Sequence, residues 1–229
     1  MKILAIESSG KTFSVALSKY TIKIASYYYE YGHIHSEIII PAIERLLKDT
    51  NILIESIDKF AVSIGPGSFT GIRVGMTAIK TFAQILNKPV TGIDSLTILE
   101  NSIIKVYEMK VIAAIDALRD EVYIKDKDEI ITKNVDLFIK DLKRYKNKIL
   151  IVGSAAEIYR EKFAKSLGEY SVSLPHTANM PKAEVLSYLA YNMPSSNCSN
   201  ITPLYVRRSW AEESKKKKHE HTITKTDNK

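Results

Sequence analysis

The order of apolar segments along the chain constrains its architecture more than any single motif. Lys2–Ile6, Thr12–Ser18 and Thr21–Tyr29 are apolar or β-branched with partial alternation, and so read as three strands joined by short turns. A helix follows, capped by Ser36, with Ile38, Ile39, Ala42, Ile43, Leu46 and Leu47 at helical spacing and Pro41 loosening its first turns. Next come a short buried strand at Phe60–Ile64, a second helix to about Asn87, a strand at Pro89–Gly92 and a helix from about Ser95. The second half repeats this order. Strands Val111–Ile115, Glu121–Lys125 and Glu129–Thr132 precede a helix from Val135, strand Lys148–Val152, helix Ala155–Lys165, strand Tyr170–Val172 and helix Lys182–Tyr191. No residue-level repeat accompanies this recurrence, and a twofold recurrence means paired lobes rather than a solenoid. Helices alternating with strands must cover both sheet faces, so the expected class is α/β, with two packed lobes that each hold a mixed sheet. The lobes are expected at residues 1–105 and 106–210.

The remaining residues, 211–229, carry Lys215–Lys218 as a run of four lysines and few apolar side chains, a composition expected to stay disordered. This tail supplies six lysines against four acids, hence +2 of the formal net charge of +7. The rest is spread over the body without a dense basic stripe, so charge alone does not identify a nucleic-acid-binding module. Although 45% of residues are apolar, no window approaches the ~20 apolar residues of a membrane span. The short apolar run of MKILAIESSG is not a signal-peptide core, and the expected location is cytoplasmic. A single cysteine, Cys198, excludes an internal disulfide and reads as a free thiol.

Each half opens with a strand ending in an acid, Glu7 in AIESSGKT and Asp116 in AAIDALRDEVY. In the actin-like ATPase and sugar-kinase fold, which the doubled order resembles, such strand-turn-strand hairpins hold phosphate and metal between the lobes. They need glycine near the acid so that backbone N–H groups can approach an anion. Here the Asp116 turn has none before Val122, and the first turn has only Gly10, beyond Ser8 and Ser9. The acids either belong to an ATP site or satisfy local backbone donors.

GPGSFTGIRVG, from Gly65 to Gly75, sets four glycines and a proline at a strand-to-helix junction. It lacks the Lys-Ser/Thr of a Walker loop and does not fit GxGxxG. Either its N–H groups face an anion, with Gly67 central, or it packs a helix tightly on a sheet. The candidate anion- or nucleotide-proximal residues are thus Glu7, Ser8, Ser9, Gly67 and Asp116. The histidines, His33, His35, His176, His219 and His221, form no HxxxH or HExxH pair; His33 and His35, which face one way if extended, and His219 and His221 of the tail, which could bind a metal weakly, are expected in solvent. No Ser-His-Asp or Cys-His arrangement supports hydrolase chemistry.

Around the helix after Gly71, Arg73, Thr77, Lys80 and Gln84 form one polar stripe, and the rest of the circumference is apolar. The helix at Ser36–Lys48 likewise carries Ile40 opposite its best core positions. Two neighbouring helices with surplus apolar surface mean either an intermolecular helix contact or crowding within the lobe.

ILAIESS at the start, HSEIIIPAIERLL from His35, AVSIGPGSFTGIRVGMTAIKTFA from Ala61, GIDSLTILEN from Gly92, AAIDALRDEVY from Ala113 and PLYVRRSWAE from Pro203 together closely resemble the TsaB (YeaZ) family. The resemblance implies the duplicated actin-like ATPase fold, of ribonuclease H-like type. It also implies a non-catalytic partner of TsaD, the enzyme that installs threonylcarbamoyl on the N6 of the adenosine next to the anticodon of ANN-decoding tRNAs. TsaD's metal-binding histidine pair has no counterpart in DSLTILEN, Asp94 to Asn101. TsaE is the implied third component, ATP or ADP and metal are expected on the partner subunits, and the isolated chain is expected to bind none stably. TsaB proteins contact TsaD through N-terminal-lobe helices and form homodimers through the same surface when alone. The interface candidates are then Ile39, Ile40, Ile43 and Leu47 on the first helix and Arg73, Val74, Ile79 and Phe82 on the second. Contact with tRNA would be indirect, through the complex. A second reading from the residues alone is an independent ATP-dependent, kinase-like enzyme using Glu7 and Asp116.

Overall fold

The computed structural model describes residues 1–30, 35–103, 109–127, 129–168, 171–172, 174 and 176–206. The first sheet has the order β3-β2-β1-β4-β5, from β1 (Lys2–Glu7), β2 (Phe13–Lys19), β3 (Ile22–Tyr29), β4 (Lys59–Ser63) and β5 (Val90–Ile93). The second has the order β10-β9-β6-β7-β8, from β6 (Met109–Asp116), β7 (Glu121–Asp126), β8 (Glu129–Asn134), β9 (Lys148–Val152) and β10 (Ser171–Val172). Three strands of each sheet run antiparallel and the following two add parallel to the first, so the two halves share one mixed topology. This duplication is the actin-like arrangement expected from the doubled segment order.

Seven helices intervene among the described residues: α1 (His35–Thr50), α2 (Phe69–Ile85), α3 (Ser95–Asn101), α4 (Val135–Leu142), α5 (Ser154–Ile158), α6 (Arg160–Leu167) and α7 (Ala183–Asn192). β1 is buried along nearly its whole length rather than on alternate residues, as a central strand covered on both faces must be. Leu4 and Ile6 pack with Ile43, Leu46, Ile72 and Ile79 of α1 and α2. Ile3 and Ala5 face the other way, onto Ala183, Leu186 and Ala190 of α7. The helices therefore cross between halves. Meanwhile α3, from the first half, places Leu96 and Leu99 against Ala113, Leu150 and Val152 of the second sheet.

α7 and the segment after it, which follow the second sheet in the chain, pack on the first sheet. Lys59 Nζ, buried, donates to the carbonyls of Ala190 at 2.6 Å and Met193 at 2.8 Å, closing the C-terminal end of α7. Ser196 pairs with Val90, Lys80 Nζ donates to Ile201 O at 2.9 Å, and Leu204 N to Ile64 O at 2.8 Å. Two local expectations change. Ser36 lies inside the first turn of α1 and not at its cap. The helix expected at Ala155–Lys165 breaks at Tyr159, whose φ of −105° and ψ of 20° turn the chain so that its hydroxyl reaches Asp116. The tail, residues 211–229, lies outside the described residues, as do His33, His219 and His221.

Candidate functional site

β1 ends in Glu7, and the chain turns at once through Ser8 and Ser9, all three buried. Ser95 Oγ donates to Ser9 Oγ at 2.7 Å, while Ser9 Oγ and Ser9 N each donate to Glu7 Oε1 at 2.6 Å. All these bonds end on one carboxylate oxygen. Oε2 and the Ser63 hydroxyl, both inaccessible, have no hydrogen bond of ordinary geometry, although Ser63 is near enough to draw the Glu7 pKa down slightly. Burial dominates and raises that pKa, with the Ser9 bonds opposing it.

The glycine loop folds onto this same turn. Ser68 N donates to Ser9 O at 2.6 Å, and a Cβ on Gly67, whose φ is +153°, would lie 2.1 Å from that oxygen. One turn along α2, Ser8 Oγ donates to Gly71 O at 2.8 Å, and a Cβ on Gly75 would stand 2.2 Å from Ser8 Oγ. Ser68 caps the helix by accepting from Gly71 N. The glycines thus serve close approach of chain to chain. Of the two sequence readings, tight packing accounts for them, and a phosphate at Gly67 does not fit a cradle already filled by Ser9.

In the second lobe, Asp116 Oδ1 accepts from Tyr159 OH at 3.0 Å and from Leu118 N at 3.3 Å, and Asp116 N donates to Ser154 Oγ at 3.0 Å. Burial, with this bond to Asp116, pushes the Tyr159 pKa up to about 12. Leu118, Arg119 and Asp120 all take positive φ, so the turn where glycines were missed is built from left-handed non-glycine residues. The glycine of this lobe that closes on a strand is Gly153, whose Cβ would meet Ala114 O at 2.3 Å. Sequence reasoning overlooked it, although VGS after β9 echoes the strand-to-helix glycine after β4. Glu7 and Asp116 therefore occupy equivalent strand ends, each engaged by its own lobe.

His176 is held rather than free. Its Nδ1 lies 2.6 Å from Glu157 Oε1 on α5, and its Nε2 meets Glu30 at the end of β3, bridging the halves. These contacts, Glu157 foremost, raise its pKa. Among the described residues no group of three or more His, Cys, Asp or Glu side chains is placed to hold a metal. Cys198 is a free, half-buried thiol.

A groove of about 390 Å³ runs between α1 and α2. Ile40, 42% exposed, and half-buried Val74, Ala78 and Phe82 give it an apolar lining, and Arg73 is the one charged side chain among the described lining residues. Ile39, Ile43 and Ile79 are at most 1% exposed and belong to the lobe core, Ile39 also reaching the floor of the groove. Leu47 is half-buried and packs against that core. Phe69 and Tyr205, not nominated, flank Arg73. Tyr205 reaches it only because the segment after α7 returns to the first lobe.

The family model for TsaD, tRNA N6-adenosine threonylcarbamoyltransferase, matches residues 16–215. The tRNA threonylcarbamoyladenosine biosynthesis protein TsaB of Bacillus subtilis is 28% identical, over 93% of this chain and 96% of its own length. TsaB of Haemophilus influenzae is also 28% identical, over 90% and 94%. A Pseudomonas aeruginosa structure described as similar to peptidase YeaZ superposes with a TM-score of 0.71 at 23% identity, covering 90% of this chain and 99% of that one. The chain belongs to the TsaD family, and within it stands with the members named TsaB.

Proposed function

We propose that this chain serves tRNA threonylcarbamoyladenosine biosynthesis as a non-catalytic subunit that binds TsaD and activates it for transfer of threonylcarbamoyl to the N6 of adenosine. The observation that carries this reading is the apolar α1–α2 groove, in which exposed Ile40 and half-buried Val74 and Phe82 leave two helices with surface that a partner helix can bury. The filled turn at Glu7 supports the non-catalytic part, since Gly67 and Ser68 close on Ser9 where a phosphate would have to sit. ATP, ADP and metal then belong to the partner subunits, TsaE joins the pair, and the free chain forms a homodimer through the same groove. No described helix is long and apolar enough to cross a membrane, and a cytoplasmic location follows from the tRNA substrate.

Replacing Val74 or Ile40 by Glu puts an unpaired charge into that groove, and co-purification with TsaD should be lost while the fold is kept. Retention of TsaD by both variants would remove the groove as the interface. Titration with ATP and magnesium tests the kinase-like alternative, which needs tight binding by the isolated chain.

A further inference from the structure

We infer that Arg73 is a preorganised anchor for a carboxylate on the protein helix that fills the α1–α2 groove, an inference that rests on the partner reading above. Its guanidinium lies 3.8 Å from the Phe69 ring centre and 5.6 Å from that of Tyr205, with the two rings 5.4 Å apart. Nε donates to Tyr205 OH at 2.7 Å. An exposed arginine normally gives up considerable rotamer freedom when a partner captures it. Here three contacts inside the chain have already fixed the side chain, and Tyr205 is itself held in place by the Leu204 N bond to Ile64 O.

With Nε engaged and one side stacked, the two Nη groups are left, and no described residue bonds them. That end of the guanidinium presents parallel donors matched to the two oxygens of a carboxylate. Among the described residues the remaining lining carries no charge, so a helix lying against Ile40, Val74 and Phe82 would cover Arg73 at its edge. A covered guanidinium without an anion is costly, which makes an Asp or Glu beside the partner's apolar stripe the matching chemistry and selects against apolar helices lacking one. The apolar lining favours a protein helix over a nucleic acid, whose phosphates would need several cations in a row.

The test is the affinity of the full chain for TsaD of the same genome, by biolayer interferometry at about 0.1 M and about 0.5 M salt. Arg73→Ala should weaken binding by about 30-fold or more at the lower salt and flatten the salt dependence. Arg73→Lys should recover only part, because an ammonium neither forks nor stacks alike. Tyr205→Phe should fall between Ala and wild type. Circular dichroism identical to wild type secures that the variants are folded. If Arg73→Ala binds within about threefold of wild type, the worth of an exposed pair, while Val74→Glu abolishes binding, the anchor is refuted and the groove stands. If Val74→Glu is equally silent, the partner reading itself fails. A loss confined to tRNA affinity or to self-association would overturn the assignment of the occupant.

Discussion

Gly67 approaches Ser9 so closely that a methyl group in place of its hydrogen would stand 2.1 Å from the Ser9 carbonyl oxygen. The loop after β4 and the turn after β1 can meet only if residue 67 has no side chain. Gly67→Ala is expected to cost about 2 kcal/mol or more in urea unfolding, since backbone must move on both sides and the positive φ disfavours any other residue. Gly168, whose φ is also positive but where an added Cβ would meet no described atom within 4 Å, provides the comparison: Gly168→Ala should cost only the conformational part, about 1 kcal/mol. Equal effects at both sites would contradict the close-packing account.

Glu7 is an acid kept in an apolar place. Its folded pKa is raised above the unfolded value by burial, so its contribution favours folding below the unfolded pKa and fades as pH rises through the folded one. Glu7→Gln keeps an oxygen for both Ser9 donors and places an amide where Oε2 has no partner. Above the folded pKa this variant should be at least as stable as wild type, and its stability should depend less on pH. Marked destabilisation would mean that the charged carboxylate is needed.

His176 faces a carboxylate on each ring nitrogen, Glu157 at Nδ1 and Glu30 at Nε2, with Tyr28 of β3 close to both acids. Only the imidazolium can donate to both. Its raised folded pKa makes this contribution full below the unfolded pKa and lost as pH rises through the folded one. Thermal midpoints measured across about pH 5.5 to pH 8.5 should fall with pH more steeply in wild type than in His176→Ala. Parallel curves would show that the bridge contributes nothing.

Lys59→Met should destabilise the protein by about 1–3 kcal/mol, because the carbonyls of Ala190 and Met193 lose their buried donor. Hydrogen exchange in α7 should rise with it. Unchanged protection of α7 would show that its packing on Ile3 and Ala5 alone secures the helix.

The duplicated architecture was legible because strand and helix periodicities survive in each half, and β1, β6 and their neighbours stand where the pattern put them. The crossing of α3 and α7 was not. Leu96 and Leu186 are apolar whichever sheet they cover, so periodicity shows that a face is buried without showing against what. The same limit explains the interface residues. Ile39 and Ile40 are adjacent and alike in sequence, yet Ile39 is 1% exposed and Ile40 42%, and the choice between them depends on how α1 rolls on β2. Tyr205 beside Arg73 depends on a return of the chain across more than a hundred residues, which local sequence does not encode.

The measurement that bears most directly on the central claim is tRNA modification reconstituted with TsaD, TsaE and the threonylcarbamoyl donor, with and without this chain. The account predicts that the chain alone modifies nothing, that TsaD turns over only when it is present, and that Val74→Glu behaves as if it had been left out. Full modification in its absence, or ATP-dependent chemistry by the chain alone that Glu7→Gln abolishes, would contradict it.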